Sequence, residues 1–200
     1  MSKLLINKDP KIISQIVSKV LLRTNMPIPN TFKRGQRISN KPTSIIVHDT
    51  NCLNHTNSVL KIDSPKTGMG ALKMDNVVKN NFKDINYHYI LDRLGDDYEI
   101  ICGRPINMRC EHDDIDKRYA DSIHVIILSD LNVDVPKTRV YNILAYRCLA
   151  PVMKMLKIGS DPKSVIQFHD DLMIKNENNI SCPGEFLSRE MLISQTRRYL

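Results

Sequence analysis

Apolar and polar positions along this chain follow two periods, one helical and one of extended strands. Over residues 11–22 (KIISQIVSKVLL), Ile12, Ile13, Ile16, Val17, Val20 and Leu21 share one face at helical spacing. Pro27, Pro29 and a polar stretch to Pro42 end that helix and read as a linker. Residues 44–48 (SIIVH) are a short β-branched run, which predicts a buried strand. Residues 49–70 are polar, with Pro65, Gly68 and Gly70, and read as a loop before a helical stretch over 71–83. Residues 86–91 (NYHYIL) and 98–102 (YEIIC) flank the turn Leu94 to Asp97 and predict a β-hairpin. After an irregular charged stretch, 122–128 (SIHVIIL) is continuously apolar, as expected of a central strand. The longest helical pattern runs from Pro136 to Leu156, with Val140, Leu144, Cys148 and Val152 on one face. Residues 165–168 form a short last strand, and 185–198 a final helix. Strands alternating with helices predict an α/β fold with a single mixed central sheet flanked by helices, preceded by an N-terminal helical extension.

The chain has 200 residues, 42% of them hydrophobic, which suits one core of ordinary size rather than two catalytic domains. This sets the expected division at 1–41, a basic extension with a helix, and 42–200, the catalytic domain. The net charge of +7 is unevenly spread: residues 1–41 carry nine basic side chains and one acid, a charge of +8, and the remainder sums to −1. Such an arm suits a polyanion, an anionic cell-envelope polymer being preferred here over nucleic acid, although charge runs are often only solvated. Lys33, Arg34, Arg37 and Lys41, in the Pro-flanked stretch, are the expected contacts. The five cysteines are odd in number and contain no CxxC. They do not make the disulfide framework of a small secreted protein, and they fit a reducing cytosol with most thiols buried as small apolar groups. Lys8, Asp9, Pro10 and Lys11 interrupt any apolar signal core, and no apolar run is long enough to span a membrane.

A lone histidine at the end of an apolar strand is usually a satisfied core residue, and a lone cysteine is usually a small hydrophobe. The joint arrangement changes that reading. His48 and His169 each close a predicted strand, and Cys182-Pro183-Gly184 follows the second of them. Two imidazoles and one thiolate are three protein ligands for Zn²⁺ with a fourth position left for water, the pattern of a catalytic site. Zinc would lower the pKa of that water toward ~7.

These segments stand in an order that resembles the zinc-dependent N-acetylmuramoyl-L-alanine amidases, the family that includes T7 lysozyme and the peptidoglycan recognition proteins. Residues 45–50 (IIVHDT) are similar to the family's first-ligand strand, and 86–92 (NYHYILD) to its YHF strand, with Gly95 and Tyr98 continuing the hairpin. Gly103-Arg104-Pro105, then Glu111-His112 with Ser122-Ile123, match the next segments. Residues 169–172 (HDDL) and 182–184 (CPG) match the part that carries the last two ligands. The resemblance covers residues 43 to about 190. It implies hydrolysis of the amide between N-acetylmuramic acid and L-alanine in peptidoglycan, with His48, His169 and Cys182 as metal ligands. Tyr87 matches the active-site tyrosine, and alternation would put it on one face with Tyr89, with His88 structural on the other. Asp171 matches an Asp that organises the ligand loop, and His112 a substrate-lining residue. Two departures stand out. Ile180 occupies the place of a lysine that assists the transition state, which leaves Lys175 as the catalytic candidate from the longer loop. His124 and Ile126 lie where many relatives have Gly and Glu, so a metal-facing Ile126 would supply no carboxylate.

The expected function is therefore a peptidoglycan hydrolase, of phage-endolysin type given the missing signal. It would be made in the cytoplasm and released to the wall through a holin in an infected host. The alternatives are a non-catalytic peptidoglycan-binding module, which the presence of Cys182 disfavours, and a regulatory interaction protein using the basic arm.

Overall fold

In a computed structural model the described residues are 41–50, 72, 85–94, 97–110, 117–172 and 181–200, all within the compact unit Lys33–Leu200. The helix expected over 11–22, most of the one over 71–83, and His112 and Lys175 lie outside them. Five strands form one sheet: β1 (Ile45–Asp49), β2 (Tyr89–Leu94), β3 (Asp97–Cys102), β4 (Ile123–Ile127) and β5 (Ile166–Phe168). Their order is β3-β2-β4-β1-β5, so the apolar run at 122–128 is indeed the middle strand. β2 and β3 are antiparallel, and every other pairing is parallel, which makes the sheet mixed.

Strand alternation decides what each face holds. One face carries Ile45 and Val47 of β1, Tyr89 and Leu91 of β2, Ile123, Val125 and Ile127 of β4, and Ile166 and Phe168 of β5. These pack on the stripe Val140, Leu144, Cys148 and Val152, all four buried as the helical spacing predicts. The long helical pattern does not form one regular helix. It breaks into α1 (Thr138–Leu144), a π-helical segment (Ala145–Leu149) and α2 (Ala150–Leu156). Pro151 explains the break. It sits in the first turn of α2 with no N–H to give to the carbonyl four residues earlier, and the chain absorbs the gap by widening to π spacing. α2 ends on Lys157 in the left-handed conformation (φ 51°), and Lys41 Nζ donates to the Lys157 carbonyl at 2.9 Å. That cation at a helix C-terminus has a local structural partner, unlike the purely polymer-facing role expected of it. After α3 (Pro162–Val165) and β5, α4 (Arg189–Arg197) opens with the Ser188 side chain accepting from the Met191 N–H at 3.2 Å. Among the described residues no helix is long and apolar enough to cross a membrane.

Candidate metal centre

The opposite face of the sheet is where the polar side chains gather. Register sets His48 beside Ile126 and Ile46 beside His124, so Ile46, His48, His124 and Ile126 all point to this side. All four are at most 1% exposed. β5 runs parallel to β1 and delivers His169 immediately beyond its last residue, at the same carboxyl edge that carries His48. The two imidazole rings stand 4.7 Å apart between centroids. Cys182 closes the group, and one donor atom from each of His48, His169 and Cys182 lies within 4.8 Å of the others, all three residues being buried.

Carboxylates hold the third member in place. Asp170 and Cys182 clasp each other: Asp170 Oδ1 accepts the Cys182 N–H at 2.6 Å, and the Asp170 N–H donates to the Cys182 carbonyl at 2.9 Å. Burial pushes the Asp170 carboxyl up from its usual range, against the opposing hydrogen bond from Cys182. Asp49, fully buried, accepts from the Gly184 N–H and the Leu131 N–H, both at 3.0 Å and both on Oδ2. The segment after Cys182, joined to it by a cis Cys182–Pro183 peptide, is thereby fixed to the end of β1. Gly184 is required there, because a Cβ would come within 2.3 Å of the Leu131 carbonyl carbon. In the sequence Asp49 and Asp170 stand only within matched segments, and the resemblance implies the loop-organising role for Asp171. Asp171 Oδ2 does accept a backbone N–H, from Phe168 at 3.2 Å, and it pairs with Arg189, while the bonds to the Cys182 segment come from Asp170 and Asp49. The short polar segments IIVHDT and HDDL were the available signal, and which carboxylate turns inward depends on tertiary contacts.

Tyr87 meets His48 edge-on, with centroids 5.2 Å apart and planes at 72°, and is 2% exposed. It does not share a face with Tyr89, which belongs to the main core. The alternation argument fails because β2 begins only at Tyr89, and bends at Asn86 and His88 turn both Tyr87 and His88 toward the histidine side. Residues 103 and 104 hold that bent segment: the Gly103 N–H donates to the His88 carbonyl at 3.0 Å and the Arg104 N–H to the Tyr87 carbonyl at 2.8 Å. The buried Arg104 adds a bond from Nε to the Ile85 carbonyl at 3.0 Å. A Cβ on Gly103 would meet the Tyr87 carbonyl oxygen at 2.3 Å, so glycine permits the approach.

His88 is fully buried, and burial lowers its pKa to about 4, so the ring is neutral. Ile126, beside His48 and completely buried, confirms that this strand presents no carboxylate at that place. Among the described cysteines, Cys102, Cys110 and Cys148 are not in disulfides, and Cys110 and Cys148 are buried as expected of small apolar groups.

The donor set fits a zinc ion once Cys182 is a thiolate. Bonds of ~2.0–2.3 Å in a tetrahedron put ligand atoms roughly 3.3–3.6 Å apart, so the widest pair here needs to close by about 1 Å.

No protein-family model and no curated protein matches the sequence. Solved structures do. The N-acetylmuramoyl-L-alanine amidase LysC from Clostridium intestinale URNW matches at 18% identity with a TM-score of 0.53, over 78% of this chain and 85% of its own. The Ph2119 endolysin from the Thermus scotoductus MAT2119 bacteriophage matches at 17% and 0.53, over 81% and 89%. PGRP-SA of Apis mellifera, a peptidoglycan recognition protein, matches at 15% and 0.52, over 80% and 86%. The fold is thus the one shared by peptidoglycan amidases, endolysins and peptidoglycan recognition proteins, as the resemblance of the sequence implies.

Proposed function

We propose that this protein is a zinc-dependent N-acetylmuramoyl-L-alanine amidase acting on peptidoglycan, of phage-endolysin type. The observation that carries the proposal is the convergence of His48, His169 and Cys182 at one edge of the sheet, with donor atoms within 4.8 Å of one another. Two imidazoles and a thiolate are a catalytic-type set, because three protein ligands leave room for a reacting group. Bound there, zinc would polarise the scissile carbonyl and lower the pKa of water. The protein's own part is to hold donors and substrate. Asp49 and Asp170 fix the Cys182 segment, and Tyr87 beside His48 supplies a phenolic O–H for the carbonyl oxygen as it gains charge. Lys175 and His112 are proposed as a second donor and a substrate contact. The neighbours named as amidases and an endolysin favour this reading, and the recognition protein among them favours the binding-only alternative.

The test uses the full chain, reduced and supplied with zinc, incubated with bacterial sacculi. Mass spectrometry should find free stem peptides with L-alanine at the amino end and intact glycan. Sacculi that bind the zinc-loaded protein and stay uncut would overturn catalysis in favour of the binding module.

A further inference from the structure

The histidine at position 124 is a departure that the amidase resemblance does not account for. Its ring is 1% exposed and stacks on His48, with centroids 5.1 Å apart and planes at 24°. The contact is a hydrogen bond: His48 Nε2 and His124 Nδ1 are 2.9 Å apart. Its backbone is held from both ends by one residue. The His88 N–H donates to the His124 carbonyl at 2.9 Å, and the His124 N–H donates to His88 Nδ1 at 2.9 Å. The remaining His88 nitrogen, Nε2, donates to the Met108 carbonyl at 2.8 Å. A peptide N–H can only donate and a carbonyl can only accept, so the His88 tautomer is fixed with its proton on Nε2. His124 therefore starts from a rigid support.

We propose that His124 is a positioning residue for His48: its Nδ1 accepts the Nε2 proton of His48 and leaves Nδ1 of His48 as the nitrogen facing the metal. The inference rests on the zinc reading of the site. The argument is one of exclusion. A neutral imidazole has one N–H and one lone pair. If His124 donated instead, His48 would carry its proton on Nδ1, and its one lone pair would be spent on His124 rather than on an ion. With this hydrogen bond kept, metal binding is compatible only with the first arrangement, and His124 then plays the part that a carboxylate or carbonyl usually plays behind a ligating histidine. Removing such a partner typically weakens metal affinity by about 10–100-fold.

Two measurements on the reduced full-length chain test this. The first is zinc affinity by chelator competition for the parent, His124→Ala and His124→Asn. Asn can place its carboxamide oxygen where Nδ1 stands and accept the same proton. The Ala variant should bind zinc at least about tenfold more weakly, and the Asn variant should recover to within about threefold of the parent. The second needs no variant, so it holds even if His124→Ala does not fold. In protein labelled with ¹⁵N-histidine and loaded with ¹¹³Cd, the His48 coupling to cadmium should appear on Nδ1, with Nε2 protonated. Unchanged affinity in His124→Ala, an Asn variant no better than Ala, or cadmium coupling to Nε2 would each overturn the role of His124 while leaving the metal centre standing. A parent that binds neither ion would overturn both.

Discussion

Replacing Asp49 with Ala should destabilise the fold far more than its neighbourhood in the sequence suggests. The carboxylate is fully buried and takes two backbone N–H groups on one oxygen, from Leu131 and Gly184. Alanine leaves both donors buried without that acceptor. Hydrogen bonds to a charged group contribute about 1.5–3 kcal/mol each, which puts the loss at about 3–6 kcal/mol. For a unit of this size that corresponds to roughly 6–24 °C in Tm. Asp49→Asn is the discriminating control, because both bonds converge on Oδ2 and a carboxamide oxygen turned to that place keeps them. It gives up the charge, for an expected cost of about 1–2 kcal/mol. The chain contains no Trp. Unfolding in urea is therefore best followed by far-UV circular dichroism, on zinc-free reduced protein, so that metal affinity does not enter the comparison. An Ala variant within about 1 kcal/mol of the parent would refute the claim that this carboxylate anchors the Cys182 segment.

Two further outcomes are expected. Tyr87→Phe should keep zinc content and fold while lowering kcat/KM by more than about tenfold, or about 1.4 kcal/mol; kinetics on a soluble muropeptide equal to the parent's would remove Tyr87 from the chemistry. His88 has a folded pKa of about 4 against an ordinary 6.5, so the unfolded chain binds more protons between those values. Its contribution is complete above pH 6.5 and is lost as pH falls toward 4, by about 3 kcal/mol in all. Urea stabilities at pH 7, 5.5 and 4.5 should fall less steeply in His88→Gln, and identical slopes would show that His88 is not the titrating group.

What could be read from the sequence follows from how locally each feature is encoded. β1, β4 and β5 were visible because a run of β-branched and apolar residues signals a buried strand without knowledge of its partners. His48, near the end of β1, and His169, just beyond β5, were visible because they end such runs of apolar residues. The break in the long helix was foreshadowed only by Pro151, and hydrophobic spacing ran straight across it. The faces of Tyr87 and Tyr89 were misjudged because period-two alternation holds only inside a strand, and the strand starts at Tyr89, three residues later than expected. The choice between Asp170 and Asp171, and the bond from His124 to His48, depend on segments far apart in sequence.

The reciprocal clasp between Asp170 and Cys182 has a consequence for how this protein tolerates change. The two bonds set the Cys182 backbone directly from Asp170, across a step of twelve residues in the sequence, so a change in the number of residues between them should leave the sulfur in place. Closing a loop of twice the length costs only about 0.6 kcal/mol.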